Sequence, residues 1–152
     1  MWGVLLTGLL GLVPVKVLYV VPQWLTGSPA VVLQDTTQKR ILPIFIGPAE
    51  ARAIERSLRG DPIPRPLTHD LLLLTIEALG GHVTRVVITD LRKNVYYAEI
   101  WLQQQGDSLK LDARPSDAIA LALRAGAPIL VREEVFLKYQ RSRSQGRAGE
   151  PF

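Results

Sequence analysis

Two stretches of this chain open a helix in the same way. Gly47-Pro48-Ala49-Glu50-Ala51-x-Ala53 and Arg114-Pro115-Ser116-Asp117-Ala118-x-Ala120 lie 67 residues apart, and each follows a strand-like run. Proline in a first helical turn gives up no hydrogen bond, because that N–H has no partner inside the helix. The acid two residues later meets the positive end of the helix dipole. A chain punctuated like this passes from strand to helix at least twice. Either an ancient βα unit has been duplicated, or two helix starts have converged on the same chemistry.

The segments around these points fill in an α+β pattern. Val15–Val21, Ala30–Leu33 and Ile41–Ile46 read as strands, with a loop at Pro22–Pro29 and a turn at Asp35–Lys39. Pro43 cannot donate to a ladder, so its strand belongs at an edge or a bulge. The helix from Pro48 buries Ala51, Ile54 and Leu58, keeps Arg52, Glu55, Arg56 and Arg59 wet, and stops at Gly60. Residues 61–66 hold three prolines and form an irregular loop. Thr68 suits the N-cap of a second helix, which Gly80–Gly81 ends. Val83–Thr89 and Val95–Leu102 make a hairpin around Leu91–Asn94, and Leu109–Ala113 is a further strand. Pro115 starts a third helix ending at Gly126, followed by a strand at Ile129–Val131 and a short helix at Glu133–Tyr139. The expectation is one compact α+β domain over residues 15–140, a mixed or antiparallel sheet carrying two to three main helices. An apolar extension (1–14) would precede it and a disordered basic tail (141–152) would follow.

With 152 residues, 47% of them hydrophobic, the chain can bury a sizeable core and is not intrinsically disordered. It has no cysteine, which excludes disulfides, thiolate metal sites and a cysteine nucleophile. Its net charge is +4, yet Lys138, Arg141, Arg143 and Arg147 against Glu150 put +3 of it in residues 138–152. Such a tail touches phosphates non-specifically or is merely a solvated end, so the overall charge says little about the folded body. Residues 1–15 carry no charged side chain. They are short for a membrane span of about 20 residues, Pro14 interrupts them, and no basic region or cleavage site marks a secretory signal. A cytoplasmic protein is the expectation; export or membrane tethering through residues 1–15 is the alternative.

Two helices are apolar almost all round: Leu71 to Leu74 with Ile76, Ala78 and Leu79, and the unbroken run Ala118 to Leu123. Such helices need cover on more than one side. A second protomer would supply it, making the protein a homo-oligomer, with a dimer favoured.

The residues that could carry chemistry are few. The chain has no Gly-rich phosphate loop, no metal-binding His pair and no Gly-x-Ser-x-Gly elbow. His82 opens a strand and reads as a surface residue. His69-Asp70 opens a helix, where His can be a general base and Asp can orient it, or where Thr68 and Asp70 simply cap the helix. Asp112 and Arg114 stand two apart at a strand end and project to one face, with Asp117 in the next helical turn. They could hold Mg²⁺ and a phosphate, or form a buried ion network that fixes the corner. Glu50 and Asp90 are further acids at element ends.

Four ordered motifs resemble those of the bifunctional nuclease domain family. They are Leu42-Pro43-Ile44-Phe45-Ile46-Gly47-Pro48-Ala49-Glu50-Ala51, Arg65-Pro66-Leu67-Thr68-His69-Asp70-Leu71, Val86-Val87-Ile88-Thr89-Asp90-Leu91, and the run from Asp112 to Ala122. The resemblance covers about residues 15 to 137 and departs from the family in the apolar first 14 residues. It implies an α+β fold, self-association and a nuclease acting on DNA and RNA. The expected phosphodiester hydrolase would use His69 as general acid or base, and Asp70, Asp112 and Asp117 as Mg²⁺ or water-positioning groups. Arg65 and Arg114 would bind substrate phosphate, with Glu50 and Asp90 as further candidates. No small-molecule cofactor is evident. The alternative is a non-catalytic oligomeric module that binds an anion, a nucleic acid or a protein, with the same side chains serving as corner-forming ion pairs.

Overall fold

A computed structural model describes residues 11–147. The elements run β1 (Leu12–Val21), α1 (Gln23–Thr26), β2 (Ala30–Asp35), β3 (Ile41–Phe45), α2 (Pro48–Arg59), α3 (Thr68–Ala78), β4 (Gly81–Arg92), β5 (Val95–Gln104), β6 (Asp107–Ala113), α4 (Pro115–Ala125), β7 (Ile129–Arg132) and α5 (Glu133–Arg147). The strands form one mixed seven-stranded sheet in the order β3-β2-β1-β7-β4-β5-β6. The β4–β7 pair is parallel and the other pairs are antiparallel.

The echo in the sequence has a counterpart in the topology. An antiparallel meander, β1-β2-β3, leads into the Pro-opened α2, and a second one, β4-β5-β6, leads into the Pro-opened α4. The short β7 lies between the two meanders. Both Pro-opened helices end on a left-handed glycine, Gly60 at φ 67° and Gly126 at φ 65°. A side chain would be strained in that region.

One sheet face carries the core. Across the strands, Ile44, Leu33, Val13, Val131, Ile88 and Ile100 are each buried in a single cluster with α2 and α4. Helix α4 is its centre: every residue from Ala118 to Ala122 is buried. It packs on β4 and β5 and is flanked by α2 and α3. Ile119 is fully buried, so truncating it to Ala removes roughly 2–5 kcal/mol.

The structure revises several expectations. For α4, intramolecular cover replaces the expected second protomer: the sheet and two helices enclose it. Helix α3 differs, because none of its residues is fully buried, and Leu71, Leu74 and Leu79 are exposed. In α2, Leu58 is exposed and Ala51 and Ile54 form the buried stripe. The first strand begins at Leu12, because residues 12–15 pair with β7. Pro14 is tolerated inside it because β2 ends opposite Val15, and Thr36 donates its N–H to the Pro14 carbonyl at 3.1 Å. Gln23–Thr26 forms one helical turn in a segment read as loop. Helix α5 runs to Arg147, past Tyr139 and into the stretch expected to be a disordered tail. Its inner residues Val135 and Phe136 anchor it in the core, and the exposed turns continue the hydrogen-bond ladder from there. Pro43 does lie on an edge strand, β3. The expectations for residues 1–10 and 148–152 lie outside the described residues. No helix among the described residues is long and apolar enough to cross a membrane.

An ion network unforeseen in the sequence ties the first meander to α5. Asp35 is fully buried, and it accepts hydrogen bonds from Thr37 N and Oγ1, both at 2.8 Å, and from Arg40 Nη2 at 2.9 Å. Arg40 also donates to Glu133 Oε1 at 2.6 Å. Burial pushes the Asp35 carboxyl up, but these donors outweigh it and bring it down to about 2.

Candidate active site

The two Pro-opened helices bring their first turns together, and Arg114 joins them. Arg114 is the N-cap residue of α4, in extended conformation at φ −68° and ψ 143°. Its Nε donates to Asp117 Oδ2 at 2.8 Å and its Nη2 to Glu50 Oε1 at 2.9 Å. Glu50 and Asp117 occupy equivalent places in the first turns of α2 and α4, where each also meets a helix dipole. A side chain at Gly47 would collide with the Glu50 carboxylate, so glycine lets Glu50 fold back over its own helix start. Arg114 keeps 65% of its side chain exposed, which excludes the buried corner network.

The third member comes from α3. His69 Nε2 lies 2.9 Å from Asp117 Oδ1, and the His69 side chain is only 12% exposed. With the carboxylate accepting, Nε2 carries a proton, and in the neutral ring Nδ1 is the nitrogen with the lone pair. Burial pushes the Asp117 carboxyl up, yet hydrogen bonds from Arg114 and His69 outweigh that and hold it below the usual carboxylate range. The two acids in turn raise the Arg114 guanidinium, Asp117 most strongly. The result is a continuous chain, Glu50–Arg114–Asp117–His69, along the floor of an open cleft of about 370 Å³.

Two further arginines line this cleft, Arg52 and Arg56, one helical turn apart on α2. Neither makes an ion pair among the described residues, so both are free to meet an anion. The sequence placed them on a wet helix face. The available signal was their i,i+4 spacing just after Glu50, which is weak, because most such pairs are solvated.

The remaining candidates stand apart. Asp70 points away from the cleft and accepts Arg124 Nε at 2.6 Å, with side chains 16% and 9% exposed. Its other oxygen accepts the Leu67 N–H at 2.9 Å, so Asp70 caps α3 and Thr68 does not; Leu67 is the N-cap residue. Burial raises the Asp70 carboxyl, but the bonds from Leu67 and Arg124 leave it lowered. Arg124 also donates to the carbonyls of Ala120 and Ala53 and so binds α2, α3 and α4 together. Asp112 does not join Arg114 in lining the cleft. Asp112 lies opposite Glu99 on β6, exposed on the side away from Leu109 and Leu111. Arg65 is exposed in the proline loop and does not line the cleft. Asp90 pairs with Lys138 Nζ at 2.6 Å, beside α5.

These placements bear on a metal. Among the described residues no three His, Asp or Glu side chains converge on a common point. Glu50 and Asp117 are already engaged by Arg114, and Asp112 is elsewhere. The donor set does not fit a resident Mg²⁺ held by Asp70, Asp112 and Asp117. The chemistry open to the cleft is that of a His–Asp pair beside a positive charge.

Comparison with known proteins agrees with the motifs. The family described as the bifunctional nuclease domain matches residues 31–143. An uncharacterized protein of Mycobacterium tuberculosis is 44% identical over 108 residues, which is 71% of this chain and 64% of that protein. Bifunctional nuclease 1 of Oryza sativa subsp. japonica is 32% identical over 98 residues, 62% of this chain and 30% of that protein. Bifunctional nuclease 2 of Arabidopsis thaliana is 27% identical over 115 residues, 74% of this chain and 35% of that protein. The chain thus spans less than two thirds of the length of each relative. A match over most of the fold, with His69, Arg114 and Asp117 in one cleft, supports one assignment: the chain belongs to the bifunctional nuclease domain family.

Proposed function

We propose that the cleft between α2, α3 and α4 hydrolyses phosphodiester bonds in nucleic acid. The observation that carries this reading is the His69–Asp117–Arg114 chain, open to solvent and joined by the unpaired Arg52 and Arg56. Asp117 holds His69 in the tautomer whose Nδ1 accepts a proton. That nitrogen takes a proton from a water molecule, whose oxygen bonds to phosphorus. The bond from phosphorus to the departing sugar oxygen breaks, that oxygen takes a proton from solvent, and His69 then releases its own proton to solvent. Arg114 Nη1 donates to no protein group among the described residues and is placed to bind the non-bridging oxygens. General-base catalysis of this kind contributes roughly 10²–10⁴-fold.

The second reading is a non-catalytic anion or nucleic-acid module. It is favoured by one observation: Glu50, Asp70, Asp90 and Asp117 all have cationic partners. Purified wild-type and His69→Ala protein, incubated with labelled DNA and RNA with and without EDTA, separate the two. Hydrolysis predicts cleavage by the wild type that is lost in the variant. Equal cleavage by both, or none by either beside intact binding, overturns it.

We also infer that two copies pair through α3. This helix keeps Leu71 57% exposed, and Leu79, just past its end, is 69% exposed. With Leu74 and the nearby Ile63 it presents an apolar face that a second copy would cover. Dimerisation there would leave the cleft open, because His69 leaves α3 on its other side, toward α4.

A further inference from the structure

The cleft does not end at Arg114. On the far side of that residue lies a second cleft of about 390 Å³, reaching Phe45, Asn94, Tyr96 and Ser116. A third, of about 360 Å³, follows beyond Phe45, Asn94 and Tyr96 and reaches Tyr139 and Ser142 on α5. Arg114 lines the first and second clefts, and Phe45, Asn94 and Tyr96 line the second and third. The three therefore follow one another in a fixed order across one end of the molecule.

Their lining matches a polyanion with flat, unpaired bases. Positive charge stands at both ends: Arg52 and Arg56 in the first cleft, and the exposed Arg141 and Arg143 either side of Ser142 at the last. The acids of the first cleft, Glu50 and Asp117, share Arg114 as their partner, and Arg52 and Arg56 outweigh the one negative charge left over. Between the charged ends stands Phe45, 64% exposed on the edge strand β3, a costly place for an aromatic ring with nothing to cover it. Beside it, Ser116 also lines the second cleft. Each cleft has room for about one nucleotide, and an exposed ring flanked by such clefts suits an unstacked base, which a duplex does not offer.

We propose that the three clefts form a single track for single-stranded nucleic acid, with Phe45 as a base-stacking platform between Arg114 and the basic turns of α5. The proposal rests on the reading above only in taking Arg114 to hold a backbone phosphate. Hydrolysis itself is not required.

Binding tests it directly. The probe is a fluorescein-labelled single-stranded DNA of about eight nucleotides, titrated by anisotropy with His69→Ala protein so that no strand is cut. Adding Phe45→Ala should weaken binding roughly 5- to 100-fold, the loss of one stacked base. It should leave weak binding to a duplex of the same length unchanged. The pair Arg141→Ala and Arg143→Ala should flatten the dependence of log Kd on log salt by about 1.4, as expected from two lost phosphate contacts on a single strand. Equal affinity with and without Phe45, an equal loss on duplex, or no binding of single strand at all overturns the track. A Phe45-dependent affinity in a protein that never cleaves keeps the track and removes hydrolysis. Cleavage by the wild type with no dependence on Phe45 does the reverse.

Discussion

Replacing Asp70 with alanine should be among the most damaging single changes in this domain, without touching the cleft. Asp70 and Arg124 are partly buried together, 16% and 9% exposed, at 2.6 Å. Removing the acid strands a guanidinium among α2, α3 and α4, which costs about 3–5 kcal/mol in comparable pairs. The same carboxylate caps α3 through the Leu67 N–H, and loss of a cap costs about 1 kcal/mol. The two losses overlap, so roughly 4 kcal/mol is the expected total. For a chain of this size that lowers Tm by roughly 8–16 °C. Urea and thermal melts followed by circular dichroism measure it. The double variant Asp70→Ala/Arg124→Met should recover much of the loss, because no charge is left buried. A single variant within about 1 kcal/mol of wild type, with cleavage abolished, would refute the structural role and return Asp70 to the site.

Other outcomes follow from the same contacts. Leu71→Glu with Leu74→Glu should shift the protein from dimer to monomer in sedimentation, since both side chains are exposed on α3; a wild type that already sediments as a monomer contradicts this. Asp35 sits at about 2 in the folded protein against an ordinary 3.8. A depressed acid stabilises the fold above its unfolded value, and that contribution disappears as pH falls from about 4 to about 2, amounting to roughly 2 kcal/mol. Asp35→Asn should therefore lower stability at neutral pH and flatten its fall in acid; an unchanged acid limb counts against the network.

Much of the fold was legible because prolines and glycines mark its joints. Pro48, Gly60, Pro115 and Gly126 bound two helices as expected, and Pro43 correctly pointed to an edge. Tertiary pairing hid the rest. Nothing local says that Leu12–Pro14 pairs with β7, or that Val135 and Phe136 anchor a helix long enough to reach Arg147. The site was half legible. Glu50, His69, Arg114 and Asp117 do gather, through contacts spanning 48 and 64 residues of sequence. Asp112 was placed in the site on strand alternation alone, which says nothing of partners: Arg114 reaches Asp117 and Glu50 instead. Asp70 was misread because its partner, Arg124, lies 54 residues on, at the end of an apolar helix that gave no hint of a buried cation.

Arg114→Ala puts the central claim to its most direct trial, with melting and cleavage measured on the same preparation. At 65% exposure its ion pairs are worth little to folding, so stability should stay within about 1 kcal/mol of wild type. Cleavage should fall by roughly 10²–10³, the loss of one group that stabilises developing charge. A melt lowered by about 3 kcal/mol or more, with cleavage per folded molecule unchanged, would show that the guanidinium holds a corner together and that the cleft does not act through it.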